Sequence, residues 1–198
     1  MFSHRWLISV VALVSILVLE IPLQAASAPF PAPAAPPLIR AANGVLLIPG
    51  PAVTLPIQVT NTPQLGAATV LITYDPAVVR PSACHRNTAF NFGLCNTAYD
   101  RNSDGTADAV LFNVVSLEGV AAGETPVPLV NITWQAVAGV QPPGYTDLGV
   151  QVETFTDANA NPLAFTTQVG RISIEAGVMP PPKVHLYLPV AARYGALP

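Results

Sequence analysis

The residues best suited to chemistry in this 198-residue chain stand together between residues 100 and 108, in the run Asp-Arg-Asn-Ser-Asp-Gly-Thr-Ala-Asp. Oxygen-bearing side chains recur there at alternate positions, and Gly105 stands at position 6, where calcium loops need a sharp turn. The candidate ligands are Asp100, Asn102, Asp104, Thr106 through its backbone carbonyl, and Asp108. Leu111 replaces the usual bidentate glutamate, so the sequence predicts either a structural calcium loop outside an EF-hand or an ordinary turn.

No other cluster of residue types indicates catalysis. Glycoside hydrolysis needs two carboxylates on facing elements, and the remaining candidates are scattered over turns and strand ends. These are Asp75, Glu118, Glu124, Asp147, Glu153 and Glu175. None of the three histidines, His4, His85 and His185, is placed for a catalytic triad, and no Gly-x-Ser-x-Gly motif occurs. The sequence therefore predicts a protein that is not an enzyme.

The two cysteines, Cys84 and Cys95, lie close together in a loop-like region. A disulfide that closes this short loop is the natural interpretation for an exported chain. A metal-binding pair or a reactive thiol is the alternative, but no second pair of Cys or His stands at ligand spacing.

The N-terminus has the pattern of a secretory signal. His4 and Arg5 form a weak positive start, Trp6 to Leu19 is continuously apolar, and Ala26-Ser27-Ala28 offers small residues for cleavage. The apolar run is shorter than the roughly 20 residues of a membrane span, although an uncleaved N-terminal anchor stays open as an alternative. Both interpretations place the rest of the chain outside the cytoplasm, secreted or at the cell surface.

Composition divides the chain into four segments. We expect a signal peptide over 1–28, a stiff Pro-rich linker over 29–41, a folded domain over 42–176, and a second Pro-rich linker with a short apolar tail over 177–198. Lysine occurs once and the net charge is −3, so the basic footprint that nucleic-acid binding requires is missing.

Apolar and polar residues alternate with a period of two along most of the predicted domain. Leu65 to Tyr74 is the clearest case, and the following Asp75-Pro76 ends it because proline cannot donate to a strand ladder. Such segments, separated by turns rich in Pro, Gly, Asn and Asp and with no amphipathic helix among them, predict an all-β fold: an antiparallel β-sandwich.

Some residues of these strands allow sharper expectations. Pro56 favours an edge position or a bulge for its strand. Phe90 and Phe92 are expected on one face of a short strand next to Cys95. Trp134 and Tyr74 are expected to pack in the core, so no planar row of exposed aromatic rings is visible, which weakens the case for direct sugar binding.

The strand pattern resembles a cohesin module. The matching segments are Val53–Asn61, Leu65–Val79 with its Tyr-Asp-Pro, Leu129–Trp134, Phe155–Asp157, Asn161–Leu163 and Gly170–Ile174. The resemblance covers roughly residues 42–175 and implies a nine-stranded jelly-roll sandwich without catalytic activity. It also implies that one sheet face receives a helical dockerin partner.

The sequence thus predicts a secreted or surface-tethered, cohesin-like binding module that holds a dockerin-type protein partner and is associated with polysaccharide binding or breakdown. Two alternatives stay open: a carbohydrate-binding module of the same fold that binds a glycan directly, and a purely structural cell-surface domain.

Overall fold

The computed structural model describes residues 35–178, which form eleven β-strands and no helix. In chain order they are β1 (Leu38–Ala41), β2 (Gly44–Ile48), β3 (Val53–Thr60), β4 (Thr62–Thr73), β5 (Val79–Arg86), β6 (Phe92–Tyr99), β7 (Ala109–Ala122), β8 (Val127–Ala136), β9 (Gly144–Asp157), β10 (Thr166–Gln168) and β11 (Gly170–Ala176). The predicted signal peptide, residues 29–34 of the first linker and residues 179–198 of the C-terminal segment lie outside the described residues. Within 35–178 no helix is long and apolar enough to cross a membrane.

The strands form two sheets packed as a sandwich. The five-stranded sheet has the order β10-β1-β3-β8-β5, and the six-stranded sheet has the order β2-β11-β9-β4-β7-β6. Two pairs run parallel, β1 with β10 and β2 with β11, and all other pairs are antiparallel. The predicted all-β sandwich is confirmed, with eleven strands rather than nine.

The sandwich begins earlier than the sequence indicated. β1 lies within the last residues of the predicted linker 29–41, and Ile39 and Ala41 point into the core with 0% and 5% exposure. Its partners are β3 on one side and β10 on the other. Two prolines, Pro36 and Pro37, directly precede this stretch, and its pairing with β3 and β10 makes it a strand.

The core forms between the sheets from the inward side of each period-two strand. Its largest fully buried side chains are Trp134, Phe90, Phe112, Ile39, Leu46, Ile57, Leu65, Ile72, Leu129, Ile132, Leu148 and Ile172. Tyr74 meets Trp134 edge to face with ring centroids 5.2 Å apart, and its hydroxyl donates to the Ala107 carbonyl at 3.1 Å. Both aromatic residues are therefore packing residues, as predicted.

The Tyr-Asp-Pro segment closes the end of β4 with a hydrogen-bonded turn. The Asp75 carboxylate accepts from the Ala77 amide at 2.8 Å, and the Asp75 carbonyl accepts from the amides of Val78 and Val79. The chain turns back there, and β5 starts in the opposite sheet with Val79 fully buried.

The prediction for Phe90 and Phe92 was wrong. Phe90 lies in the turn before β6 and is 1% exposed, whereas Phe92 opens β6 and is 61% exposed. Asn87 causes the difference: its side chain accepts from the Ala89 amide and its carbonyl accepts from the Phe90 amide, which turns Phe90 inward.

Two local predictions were accurate. Pro56 sits in an interior strand beside a register shift between Ile57 and Gln58, which is the bulge that a proline in a sheet requires. The disulfide Cys84–Cys95 is present and joins β5 to β6, the edge strands of the two sheets, with Cα atoms 6.2 Å apart. It therefore holds the two layers together along one side.

Candidate functional site

The predicted calcium loop connects β6 to β7 and is folded around its own carboxylates. Asp100 Oδ2 accepts from the Gly105 amide at 2.7 Å, and Asp104 Oδ1 accepts from the Thr106 amide at 2.7 Å. The Asn102 side chain donates to Asp104 Oδ2 at 2.9 Å. Gly105 has φ of 89°, a conformation that glycine adopts without strain.

These bonds leave Asp104 well suited to stay ionised. The Thr106 amide, followed by the Asn102 side chain, lowers the pKa of the Asp104 carboxyl below its ordinary value. Such donors favour the charged form because they bind the carboxylate more strongly than the neutral acid.

Asp108, the last candidate ligand, forms an ion pair with Arg101 of the same loop. Arg101 Nη2 and Nε donate to Asp108 Oδ2 at 2.7 Å and 2.9 Å, and the Arg101 amide donates to Oδ1 at 3.2 Å. The hydrogen bond from the Arg101 side chain is the main reason that the pKa of Asp108 is lowered.

The five predicted ligands are thus neighbours in one loop, but they do not converge as a calcium cage in this geometry. No three carboxylate, histidine or cysteine groups of residues 35–178 are grouped so that they could hold a metal ion. An ion would need Arg101 to leave Asp108 and the oxygen atoms of Asp100 and Asp104 to turn inward. Calcium binding by this loop stays a prediction.

A different feature dominates the outer face of the six-stranded sheet, namely a group of exposed apolar side chains on β6 and β7. Phe92, Leu94 and Leu117 are 61%, 77% and 69% exposed, and we call these three residues the apolar patch. The half-buried Leu111 and Val115 lie on the same outward side of β7. Large side chains this open to solvent, grouped on one face, are typical of an interaction site.

Sheet geometry fixes the direction of the patch. Phe92 and Leu94 alternate along β6 with Gly93 and Cys95, and because Cys95 is bonded to Cys84 of the other sheet, its neighbours must point outward. Phe92 is paired with Val115 in register, one step from Leu117 on the same side of β7.

Two asparagines stiffen this edge of the sheet. The Asn113 side chain accepts from the Leu94 amide at 2.8 Å, and the Asn91 side chain accepts from the Leu117 amide at 2.9 Å. Each bond ties the backbone of a patch residue to the neighbouring chain segment. The apolar patch is thus presented by hydrogen-bonded strands rather than by a loop.

The same sheet also carries acidic side chains. The outward acids of the same sheet are Glu118 on β7, Asp147 and Glu153 on β9, and Glu175 on β11. Its one cation within the described strands, Arg171, is 2.8 Å from Asp147 and 4.3 Å from the centre of the Tyr145 ring. The face therefore carries the apolar patch at its β6 edge, acids on β7, β9 and β11, and the less exposed Val45 and Leu47 at its β2 edge.

Sequence reasoning missed the apolar patch because it expected Phe92 on the same face as Phe90, which is buried. The residue types alone do not reveal which side of β6 is buried. The useful sign was Cys95: once its partner is in the opposite sheet, the residues at one and three positions before it must point away from the core.

A groove of about 370 Å³ lies between the β2–β3 loop, Pro49 to Ala52, and the β8–β9 loop, Val137 to Val140. Its lining includes one amide side chain, Gln135, and no titratable group. It offers no acid, base or nucleophile for catalysis.

Comparison with known proteins agrees with the β-sandwich fold described above. The family model described as "Cohesin domain" matches residues 43–174. No curated protein matches the sequence.

Several solved structures share the fold. A non-cellulosomal cohesin from the archaeon Archaeoglobus fulgidus has a TM-score of 0.56 at 14% identity, covering 72% of this chain and 93% of that one. A cohesin–dockerin complex from Clostridium thermocellum gives 0.56 at 16%, covering 71% and 99%. A type III cohesin module from the cell-surface anchoring scaffoldin of Ruminococcus flavefaciens gives 0.53 at 17%, covering 78% and 93%.

Proposed function

Since this chain belongs to the cohesin family, whose domains are non-catalytic binding modules, we propose that it holds a dockerin-type protein partner on the outer face of its six-stranded sheet. The observation that carries the proposal is the apolar patch, three large side chains that are each more than half exposed on a rigid sheet. The dockerin-bound Clostridium thermocellum structure among the similar folds supports this class of partner.

The patch is suited to the apolar side of a helix. A helix presents side chains at i, i+3, i+4 and i+7 along one stripe, and such a stripe docks onto flat or grooved apolar surfaces. Burying a Leu or Phe side chain contributes about 1.5–3 kcal/mol, so the three patch residues supply several kcal/mol at the centre of an interface. Because hydrogen-bonded strands already hold them, little ordering cost opposes binding.

The charges around the patch indicate what the partner carries at its rim. Glu118 and Glu153 are exposed on the same sheet, so a partner with lysine or arginine beside its apolar stripe is favoured. Rim charges of this kind mainly raise the association rate and select the partner.

We place this function outside the cell, in assemblies associated with polysaccharide binding or breakdown. Cohesins are typically cell-surface or secreted scaffoldin modules, and the Cys84–Cys95 disulfide suits an oxidising compartment. The N-terminal pattern of a secretory signal supports the same location.

The test is isothermal titration of the full-length chain with a panel of purified dockerin modules encoded by the same genome. We expect at least one to bind, and Leu94→Asp to weaken that binding at least a hundredfold, because it removes apolar burial and places an unpaired charge in the interface.

Leu47→Asp is the matched control. Leu47 is 44% exposed on β2, the opposite edge of the same sheet, so its replacement should change the affinity less than twofold. If no dockerin binds, or if both variants bind equally well, the proposal is wrong.

A further inference from the structure

The five-stranded sheet differs from the rest of the domain in charge. Its strands β1, β3, β5, β8 and β10 carry no acidic residue, and they contain the cations Arg40, Arg80 and Arg86. The nearest acids in sequence, Asp75 and Glu124, lie in the loops that precede β5 and β8.

The remainder of the described domain is strongly acidic. Residues 35–178 contain ten carboxylates, all outside the five-stranded sheet, and the two arginines outside it, Arg101 and Arg171, are both paired with aspartates. An anionic partner is therefore repelled by most of the molecule and attracted only to this one face.

The outward side of that sheet is flat and polar. Its central residues are Arg40, Gln58, Thr54, Asn131, Thr133, Gln135 and Arg80, and we call them the polar face. The alternate residues of the same strands, such as Ile57 and Ile132, are fully buried, which fixes the outward direction. None of the exposed large apolar side chains of the described residues lies on these strands.

The register arranges the polar face as a diagonal track with an arginine at each end. Arg40 is opposite Gln58, Thr54 is opposite Thr133, and Arg80 is opposite Gln135. Three strand spacings and about six residues of rise separate the two arginines, a distance of roughly 25 Å. Hydroxyl and amide side chains line the track between them, with Pro56 opposite Asn131 at its middle.

The Arg40 end of the track is a shaped hollow of about 240 Å³. Arg40, Gln58, Gln168 and Asn43 line it. Arg40 Nε donates to Gln58 Oε1 at 3.2 Å, which orients the guanidinium and leaves its two Nη groups without an ion-pair partner among residues 35–178. A guanidinium held in this way fits a carboxylate with two parallel hydrogen bonds.

We propose that the polar face binds an extended acidic polysaccharide, with sugar carboxylates at Arg40 and Arg80 and sugar hydroxyls on the amide and hydroxyl side chains between them. A linear ligand is required because the two cations are far apart. A membrane surface fits less well, since no apolar side chain on this face can insert and the cations are not clustered. This binding goes beyond the dockerin site and occupies the other sheet.

The test is affinity electrophoresis, which measures the mobility of the full-length chain in gels that contain polygalacturonate or the same polymer with its carboxyls methyl-esterified. We expect retardation by polygalacturonate that weakens in high salt, and none by the ester. Arg40→Gln and Arg80→Gln should each weaken binding about threefold to fivefold, as expected for exposed ion pairs, and the double variant about tenfold or more.

Arg171→Gln is the matched control, because it removes the same charge from the six-stranded sheet and should change retardation less than twofold. Leu94→Asp should also leave the retardation by polygalacturonate unchanged. Failure of the polysaccharide proposal can therefore be distinguished from failure of the dockerin proposal. Equal binding of the ester, equal loss with Arg171→Gln, or binding to phosphatidylglycerol vesicles in place of polygalacturonate would overturn the proposal.

Discussion

At the scale of single residues, most aspartates of the described domain accept hydrogen bonds within turns and loops. Asp157 is the clearest case: its Oδ1 accepts from the amides of Asn159 and Asn161, both at 2.8 Å, and its Oδ2 accepts from the Asn161 side chain at 2.9 Å. The Asn161 side chain, then its amide, lowers the pKa of Asp157 below the ordinary 3.8. The turn is therefore stabilised by the charged form.

This arrangement predicts an acid-sensitive domain. A carboxyl whose pKa is lowered by folding stabilises the protein fully above its ordinary pKa, and that contribution is lost as the pH falls through the folded-state pKa. We expect the melting temperature to decrease once the pH is lower than about 4. The melting temperature of Asp157→Asn should decrease less steeply with pH, because the variant lacks the carboxyl that takes up a proton. Calorimetry between neutral and acid pH measures both slopes; equal slopes would contradict the assignment.

The calcium prediction also belongs to this scale. If the loop between β6 and β7 binds the ion, added calcium should raise the melting temperature of the chain and a chelator should lower it again, because the ion binds only the folded loop. Asp104→Ala should abolish the difference between the two conditions. An unchanged melt of the unsubstituted chain in chelator would count against the site.

At the scale of elements, the disulfide between β5 and β6 does more than close a loop. It crosses from one sheet to the other where both end in an edge strand, and it fixes which side of β6 faces inward. The apolar patch depends on that choice, since a slip of one residue would turn Phe92 and Leu94 into the core.

Removing this bridge should be costly. The cysteines are 11 residues apart, and loop-closure entropy predicts that Cys84→Ala with Cys95→Ala destabilises the domain by about 2–3 kcal/mol. That corresponds to a fall of roughly 10 °C in the melting temperature of a domain this size. Thermal denaturation with and without a reductant measures it; the double variant should show no response to reductant, and a fall of only a degree or two would refute the estimate.

The elements found from sequence and those missed differ in a physical way. β3, β4, β7 and β8 each contain a stretch of period-two burial, and that alternation locates them in the sequence. β1 and β10 are four and three residues long, and they pair with each other across most of the chain, while β1 also pairs with β3. No local pattern encodes such a contact.

At the scale of the whole molecule, the fold class and the cohesin resemblance followed from residues 42–175, but the candidate site did not. Pairing between distant segments decides which strand lies at which edge of a sheet. The turn at Asn87 buries Phe90 and leaves Phe92 exposed. The difference in charge between the two sheets could not be predicted either, because Arg40 and Arg80 are far apart in sequence and lie on the same face only because β3 and β8 connect their strands.

The two outer walls of the sandwich point in opposite directions, with a packed layer about 10 Å thick between the sheets. Ligands on opposite walls therefore share no side chain and do not compete. A domain that is bound to a polymer through one sheet still has the outer face of its other sheet free for a second ligand. When many copies of the domain bind the same polymer, their modest individual affinities combine as avidity.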